Sequence, residues 1–233
     1  MAKFVSNKKE SIRLFENPVL EYFSHIHPAT PVVVYLPVLL FFGWLGFRDT
    51  GLFGFWGYGA GLLLWTILEY SLHRWMFHTQ FKGKLGQQFH FILHGVHHDY
   101  PRDDSRLVMP LLFSVPLAFL VYGLFQRVFG PGVCNWAFSG IVTGYVCYDT
   151  LHYLTHMPPF KNPVMRFLRE YHLRHHYENG EKAFGVTSPL WDWAFGTLPT
   201  HMTQSGKALK QAKQARGAKL QKSESRSTAS ISH

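Results

Sequence analysis

Between Glu21 and Arg48, Asp49 and Glu69, Arg106 and Arg127, and Arg127 and Asp149 this chain carries no Asp, Glu, Lys or Arg, and the gaps run 26, 19, 20 and 21 residues. A helix that crosses a bilayer needs about 20 mostly apolar residues. The four windows therefore predict an all-α integral membrane fold with four transmembrane helices. Mean hydropathy is near zero only because the polar stretches between and after the windows dilute them.

A net charge of +9 over 233 residues would suit a nucleic-acid ligand, but its placement argues otherwise. Four Lys and Arg precede Pro31, five lie between His73 and Leu107, and twelve follow His156. Only Arg48 and Arg127 fall elsewhere, so 21 of the 23 share one side of a four-pass chain. This positive-inside pattern predicts that both termini face the cytosol and that the basic face meets anionic lipid. No nucleic-acid partner is expected.

Residues 1–30 read as a cytosolic arm, with a short interfacial helix over 18–27. Residues 31–202 form the membrane domain, and 203–233 a basic, disordered tail. The windows place helix one at 31–47 with a kink at Pro37, and helix two up to residues 69–72. Helix three runs from near Arg106 to Phe129, helix four from Val133 to His156, and a short helix covers 164–176. The aromatic stretch 184–200 (FGVTSPLWDWAFGTLPT) is expected to pack on the membrane surface. Cys134 and Cys147 suggest neither a disulfide framework nor a CxxC metal site. No apolar leader precedes Pro18, so the first span is expected to act as the insertion signal.

Ten of the fifteen histidines fall into four clusters at the ends of the apolar windows or in the polar stretches after them. They are His73 and His78; His94, His97 and His98; His152 and His156; and His172, His175 and His176. Neutral imidazole is a common ligand of Fe, Zn and Cu. Ten are too many for one ion and suit two. Residues at i, i+3 and i+4 share a helix face, so each triple can aim three imidazoles at one region. His73 and His78 lie five apart, about 140° around an ideal helix, and converge only if that helix unwinds or ends between them. Glu69 and Asp149 interrupt apolar runs just before His73 and His152, where an ionisable residue is costly and tends to be functional. Both are candidates to orient the ligating rings from behind, as is His90, four before His94. Trp75, Phe77, Phe89, Phe91 and Tyr153 are candidate walls of a substrate channel. The remaining histidines lack clustered partners.

The order HxxxxH, HxxHH, HxxxH, HxxHH resembles the membrane fatty acid hydroxylase superfamily. The words EYSLHRWMFH, FHFILHGVHHDYPRDDSRLVMP, GYVCYDTLHYLTH, REYHLRHHY and FGVTSPLWDWAFGTLPT are similar to its fatty acid 2-hydroxylase branch, over about residues 15–200. The resemblance implies a multi-pass enzyme of the endoplasmic reticulum with a cytosolic His-rich dimetal cap. It implies hydroxylation at C2 of long acyl chains, in ceramide or another sphingolipid, with O2 as oxidant. The ten clustered histidines map onto the family's metal ligands, with iron expected for activity and zinc able to occupy the site in isolated protein. No separate catalytic side chain is assigned; the chemistry belongs to the dimetal centre. Many animal and fungal members carry an N-terminal cytochrome b5 domain with an HPGG motif, which this chain lacks. Electrons are therefore expected from a separate cytochrome b5 and its reductase, and the basic face suits an acidic carrier.

Breaking an unactivated C–H bond requires a redox metal and O2. Zinc, being d10, cannot supply that step. Sterol oxidation, desaturation and carotenoid hydroxylation on the same scaffold are the nearest rivals, and the flanking words disfavour them. A metal transporter or sensor would place its ligands near the bilayer midplane along a path. A four-helix haem protein would want facing His pairs inside the spans, and windows two to four hold none before His152.

Overall fold

A computed structural model describes residues 4–6, 8–79, 81–178 and 180–199. The predicted basic tail lies outside the described residues. The chain divides into a unit over residues 1–197 and another from 198 onward, and the fold described is that of the first. Among the described residues there are helices and connecting loops but no strand. In order they are α1 (Pro18–Ser24), α2 (Thr30–Thr50), a 3-10 turn over Gly51–Phe55, and α3 (Trp56–Ser71), which runs on into a π-helical turn, Leu72–Phe77. Then come α4 (Gly83–His90), a second π-helical turn (Phe91–Gly95) and α5 (Val96–Asp99). Last are α6 (Leu111–Phe129), α7 (Val133–His156), α8 (Pro163–Tyr177) and α9 (Leu190–Ala194).

Helices occupy all four charge-free windows. Some boundaries move: α1 stops at Ser24, α2 runs on to Thr50 rather than ending at 47, and α6 begins at Leu111 after Pro110 rather than near Arg106. The backbone before it is not free to coil, because Leu107 and Met109 bond to groups on α7.

The bundle is built around α7, which buries fifteen of its 24 residues. Helix α2 runs antiparallel to it: Leu39 carbonyl accepts from Ser139 Oγ, and Tyr35 meets Tyr145 edge-on with ring centroids 5.0 Å apart. Helix α3 runs parallel to α7, and glycines make this approach close. A Cβ on Gly61 would lie 2.0 Å from Ala137 O, and one on Gly140 would lie 2.1 Å from Tyr58 O. Helix α6 returns antiparallel to α7, with Tyr122 5.0 Å from Phe138. The turns at 51–55 and 130–132 therefore lie at one end of the bundle, and the histidines gather at the other.

Two stretches, Thr30–Phe77 and Leu111–Phe129, are long and apolar enough to cross a membrane, with only 17% and 11% of their windows buried. Soluble core helices are mostly buried, so these are not core helices. Their outer faces carry Val33, Leu40, Phe41, Trp44, Phe119 and Leu120, all exposed. A continuous apolar exterior suits lipid rather than water as solvent.

The N-terminal arm straps across the polar end. Arg106 is buried beneath it and reaches Glu21 Oε1 at 2.7 Å, Ser24 Oγ at 3.1 Å and the Ile12 carbonyl. Partial burial would raise the Glu21 pKa, but the Phe15 and Leu14 N–H groups, His25 and Arg106 together hold it down to about 2. Helix α1 starts on an Asn17 cap and leaves Val19, Tyr22 and Phe23 exposed.

The close α3–α7 approach sets a stability test. Gly140→Ala should cost about 2 kcal/mol by forcing the backbones apart. Gly123→Ala, on α6 where an added Cβ meets nothing within 4 Å, should not lower the melting temperature. Thermal melting of detergent-solubilised protein checks both. Equal effects of the two substitutions would contradict the close packing.

Candidate metal centre

Ten imidazoles meet at the polar end, and they do not sort by sequence cluster. One group is His73, His78, His94, His98 and His175; the other is His97, His152, His156, His172 and His176. Within each group, one ligating atom from every residue lies within 4.8 Å of all the others. Each HxxHH triple, which its spacing would allow to aim at one region, is instead split between the two groups. Partners at i, i+4 stay together: His94 with His98, His172 with His176, and His152 with His156. The residue at i+3, His97 or His175, points across to the other group. On a helix i+3 and i+4 lie on opposite sides of residue i, so a triple wedged between two centres feeds both.

His73 and His78 do converge, as the spacing required, through a local unwinding of the helix. Between them the helix is underwound into the π turn Leu72–Phe77 and stops there, with His78 as its C-cap. Its i→i+5 bonding brings residues five apart towards one face. The second π turn, Phe91–Gly95, lies just before His97 and His98.

The rings are held from behind by backbone carbonyls. His73 Nδ1 donates to Phe184 O at 2.5 Å, His175 Nδ1 to Lys182 O at 2.6 Å, and His152 Nδ1 to Leu107 O at 2.9 Å. A carbonyl only accepts, so in these neutral rings Nδ1 carries the proton and Nε2 is bare. The bare atoms face other imidazoles: His175 Nε2 lies 3.0 Å from His78 Nε2 and 3.2 Å from His98 Nε2. In the second group, His152 Nε2 lies 2.9 Å from His97 Nε2, and His172 Nε2 lies 3.0 Å from both His156 Nε2 and His176 Nε2. His73 Nε2 is buried with no hydrogen-bond partner. A ring with one proton, already spent on a carbonyl, cannot satisfy two such neighbours. An ion held at about 2.1 Å sets adjacent ligand nitrogens about 3 Å apart, which is the spacing found. The donor set fits a metal ion in each group. The groups adjoin: His98 of the first stacks on His176 of the second with centroids 4.3 Å apart.

Burial, and then the neighbouring imidazoles, hold His94, His97, His172 and His176 well below the usual imidazole range. These rings stay neutral at pH 7, the form that binds metal.

Glu69 and Asp149 are buried but touch no histidine of either group. Glu69 Oε1 accepts from Val186 N at 2.7 Å and Thr187 N at 2.8 Å, and Oε2 from Thr187 Oγ1 at 2.6 Å. Asp149 accepts from Met109 N at 3.2 and 3.1 Å and from Tyr145 OH at 3.1 Å. Each carboxylate thus fastens the backbone segment whose carbonyl orients a ring. His90 ends α4 half-buried. No hydrogen bond or ring contact joins it to the ten.

The segment expected to lie on the membrane surface is instead partly core. Phe184, Gly185, Val186 and Asp192 are buried, while Trp193 and Phe195 remain exposed. Asp192 is a residue the histidine pattern misses. It carries the same signal as Glu69 and Asp149, a lone carboxylate in an aromatic, apolar run.

A cavity of about 180 Å³ opens beside the histidines. His94 from the first group and His97 and His152 from the second line it together. Its walls are apolar: Leu14, Phe15, Leu20 and Phe23 from the arm, with Phe77, Ile92, Leu107 and Leu112. Phe77 alone of the five candidate channel aromatics is among its lining residues.

A bundle of long, apolar-faced helices, capped at one end by two nests of imidazole beside an apolar cavity, has the makings of a histidine-rich metal-binding protein with helices able to cross a membrane. The profile described as fatty acid hydroxylase matches residues 58–197, and the chain belongs to that family. It is 36% identical to a dihydroceramide fatty acyl 2-hydroxylase of Arabidopsis thaliana, over 82% of this chain and 81% of that one. It is 40% identical to a ceramide very long chain fatty acid hydroxylase of Saccharomyces cerevisiae, over 71% of this chain but 44% of that one. The human fatty acid 2-hydroxylase is 32% identical over 80% of this chain and 56% of its own length. The chain thus spans about half of these fungal and human relatives. A solved structure described as full-length scs7p, with only the hydroxylase domain visible, superposes with a TM-score of 0.75 at 36% identity. That match covers 79% of this chain and 71% of the other.

The depressed imidazoles give a signed pH dependence. Below the unfolded value of about 6.5 the unfolded chain takes up protons that the buried rings refuse. Stability is therefore present above about pH 6.5 and lost as pH falls. In chelator-treated protein the melting temperature should hold between pH 8 and 7 and fall steadily towards pH 5. A melting temperature that does not change down to pH 5 would contradict the assignment.

Proposed function

We propose that this protein is a dimetal, O2-dependent hydroxylase that places a hydroxyl group on C2 of long acyl chains carried by ceramide or a related sphingolipid. The observation that carries the proposal is an apolar cavity that touches histidines of both groups. An acyl chain lying there brings a carbon near its carboxyl end between two ions. The names of the relatives, in plant, fungus and mammal, support acyl 2-hydroxylation as the reaction.

In this proposal His73, His78, His94, His98 and His175 hold one ion, and His97, His152, His156, His172 and His176 the other. Bound iron supplies the O2 activation that breaks an unactivated C–H bond, which side chains cannot do alone and zinc cannot replace. The chain's own part is to fix the imidazoles, keep them neutral and exclude water. Phe77, Leu107 and the arm residues Leu14 and Phe15 form a dry wall beside the reacting carbon. Arg106 ties the arm down over that wall.

The four long helices cross the endoplasmic reticulum membrane, with both termini and the histidines on the cytosolic side. The distribution of Lys and Arg supports this orientation. A separate cytochrome b5 and its reductase deliver electrons. Exposed Arg166 lies on α8, which carries His172, His175 and His176, and exposed Lys82 and Lys84 lie at the start of α4; such cations suit an acidic donor.

Lipid mass spectrometry tests the reaction. In cells lacking their own 2-hydroxylase, the unmutated chain should produce 2-hydroxy acyl sphingolipids. A His172→Ala, His176→Ala double variant at matched level should produce none. If the folded, inserted chain yields none with cytochrome b5 present, acyl 2-hydroxylation is wrong, and sterol oxidation and desaturation are the next products to assay. Metal analysis tests the ligand sets. The unmutated chain should bind two ions, and His97→Ala should weaken the site of His152 and His172, although its sequence neighbours His94 and His98 serve the other ion.

A further inference from the structure

Residues 182–187 follow α8 and form neither helix nor strand. This segment nevertheless orients two rings of the first group, through the carbonyls of Lys182 and Phe184. Ala183 within it has φ +59°, a left-handed conformation that costs a non-glycine residue about 1 kcal/mol or more. Such a segment keeps its shape only if fastened from outside.

The fastening is complete. Phe184 N donates to Asp192 Oδ1 at 2.9 Å and Gly185 N to Asp192 Oδ2 at 2.7 Å. The next two N–H groups, of Val186 and Thr187, go to Glu69. Four consecutive backbone donors are thus taken by two buried carboxylates. Asp192 is fully buried, and Thr197 Oγ1 donates to its Oδ1 at 2.7 Å. A Cβ on Gly185 would come 2.1 Å from Ser188 O and 3.0 Å from Asp192 Oδ2, so the carboxylate is seated directly against the backbone.

We propose that Asp192 is a positioning residue for the first ion site alone: it holds the Phe184 carbonyl that aims His73, with the neighbouring Lys182 carbonyl that aims His175, and touches neither ring. The proposal rests on the reading that each histidine group binds an ion. Selectivity follows from the wiring. In the second group the His152 ring is set by Leu107 O, on a different segment, and Met109 N of that segment is held by Asp149. Losing a partner behind a ligating histidine typically weakens metal binding about 10- to 100-fold. Asp192→Asn keeps the shape but turns an acceptor into a donor facing an N–H, so it should act in that range on one site only.

The 233-residue chain is purified in detergent, stripped, and titrated with zinc against a chromophoric chelator. The unmutated chain should take up two ions; uptake of fewer would overturn the two-ion reading itself. Asp192→Asn should weaken one step at least tenfold and leave the other within about threefold. Placement comes from two backgrounds. With the second site removed by His172→Ala, Asp192→Asn should weaken the remaining ion; with the first removed by His175→Ala, it should change nothing. Thr197→Val, which removes one donor to Asp192 without changing charge, should give a smaller loss at the same site, and it carries the test if Asp192→Asn does not fold. Two intact steps, or equal weakening of both sites, in a folded variant overturns the role of Asp192.

Discussion

A hydrogen bond from imidazole Nδ1 to a backbone carbonyl is the interaction on which the polar end of this protein depends. It decides which nitrogen of the ring is bare. At His73, His152 and His175 the proton is spent on Phe184, Leu107 and Lys182 respectively, so Nε2 presents a lone pair inward. Lone pairs 3 Å apart repel, and a cation between them removes the conflict. Using a carbonyl rather than a carboxylate behind the ring keeps the net charge of the nest low. The carboxylates Glu69, Asp149 and Asp192 stand one step further back and act on the backbone that bears the carbonyls. The donor chain therefore runs from carboxylate to N–H, along the peptide, and from carbonyl to imidazole.

Two features of helix geometry make ten such rings converge on two points. A π turn brings residues five apart towards one face, which lets His73 and His78 serve one group from a single helix. The HxxHH triples use the ordinary α period differently. Residues i and i+4 stay on one group while i+3 crosses, so α8 feeds the first group through His175 and the second through His172 and His176. The adjoining of the groups follows from this shared helix: it cannot supply both from one turn unless they lie on either side of it.

Much of this was legible in the sequence because the signals are strong and local. Gaps of 19 to 26 residues without charge located all four long helices, and α7 matches its predicted limits at Val133 and His156. The ten histidines of the two nests are the ten of the four clusters. What spacing could not deliver was their allocation, since HxxHH looks the same whether its rings serve one ion or two. The π turn was illegible for a related reason: a one-residue widening depends on what the chain must reach, not on Leu72–Phe77 alone. The buried part of 184–200 was illegible because its work is done by main-chain N–H and C=O groups, which every residue carries. Asp192 left a trace, a single carboxylate among Trp191, Trp193 and Phe195, but no nearby histidine drew attention to it.

The lipid-facing character of the bundle and the density of bonds at its end are two sides of one constraint. Inside a buried, apolar-walled end the backbone cannot count on water to satisfy stray donors, and each one left unpaired costs about 1–3 kcal/mol. Irregular segments such as 107–109 and 182–187 are the costliest kind of chain to place there. Glu69, Asp149 and Asp192 make it affordable, because a carboxyl group accepts several bonds and takes two neighbouring N–H groups, or one N–H from both oxygens. Those carboxylates are themselves tolerable only when fully bonded, so neither partner is stable without the other. The polar end must then form as one cooperative unit, with the loops, the carboxylates and the rings ordered together. Such a unit presents its imidazoles already aimed, and the cost of aiming them is met by folding rather than drawn from the binding of the ion.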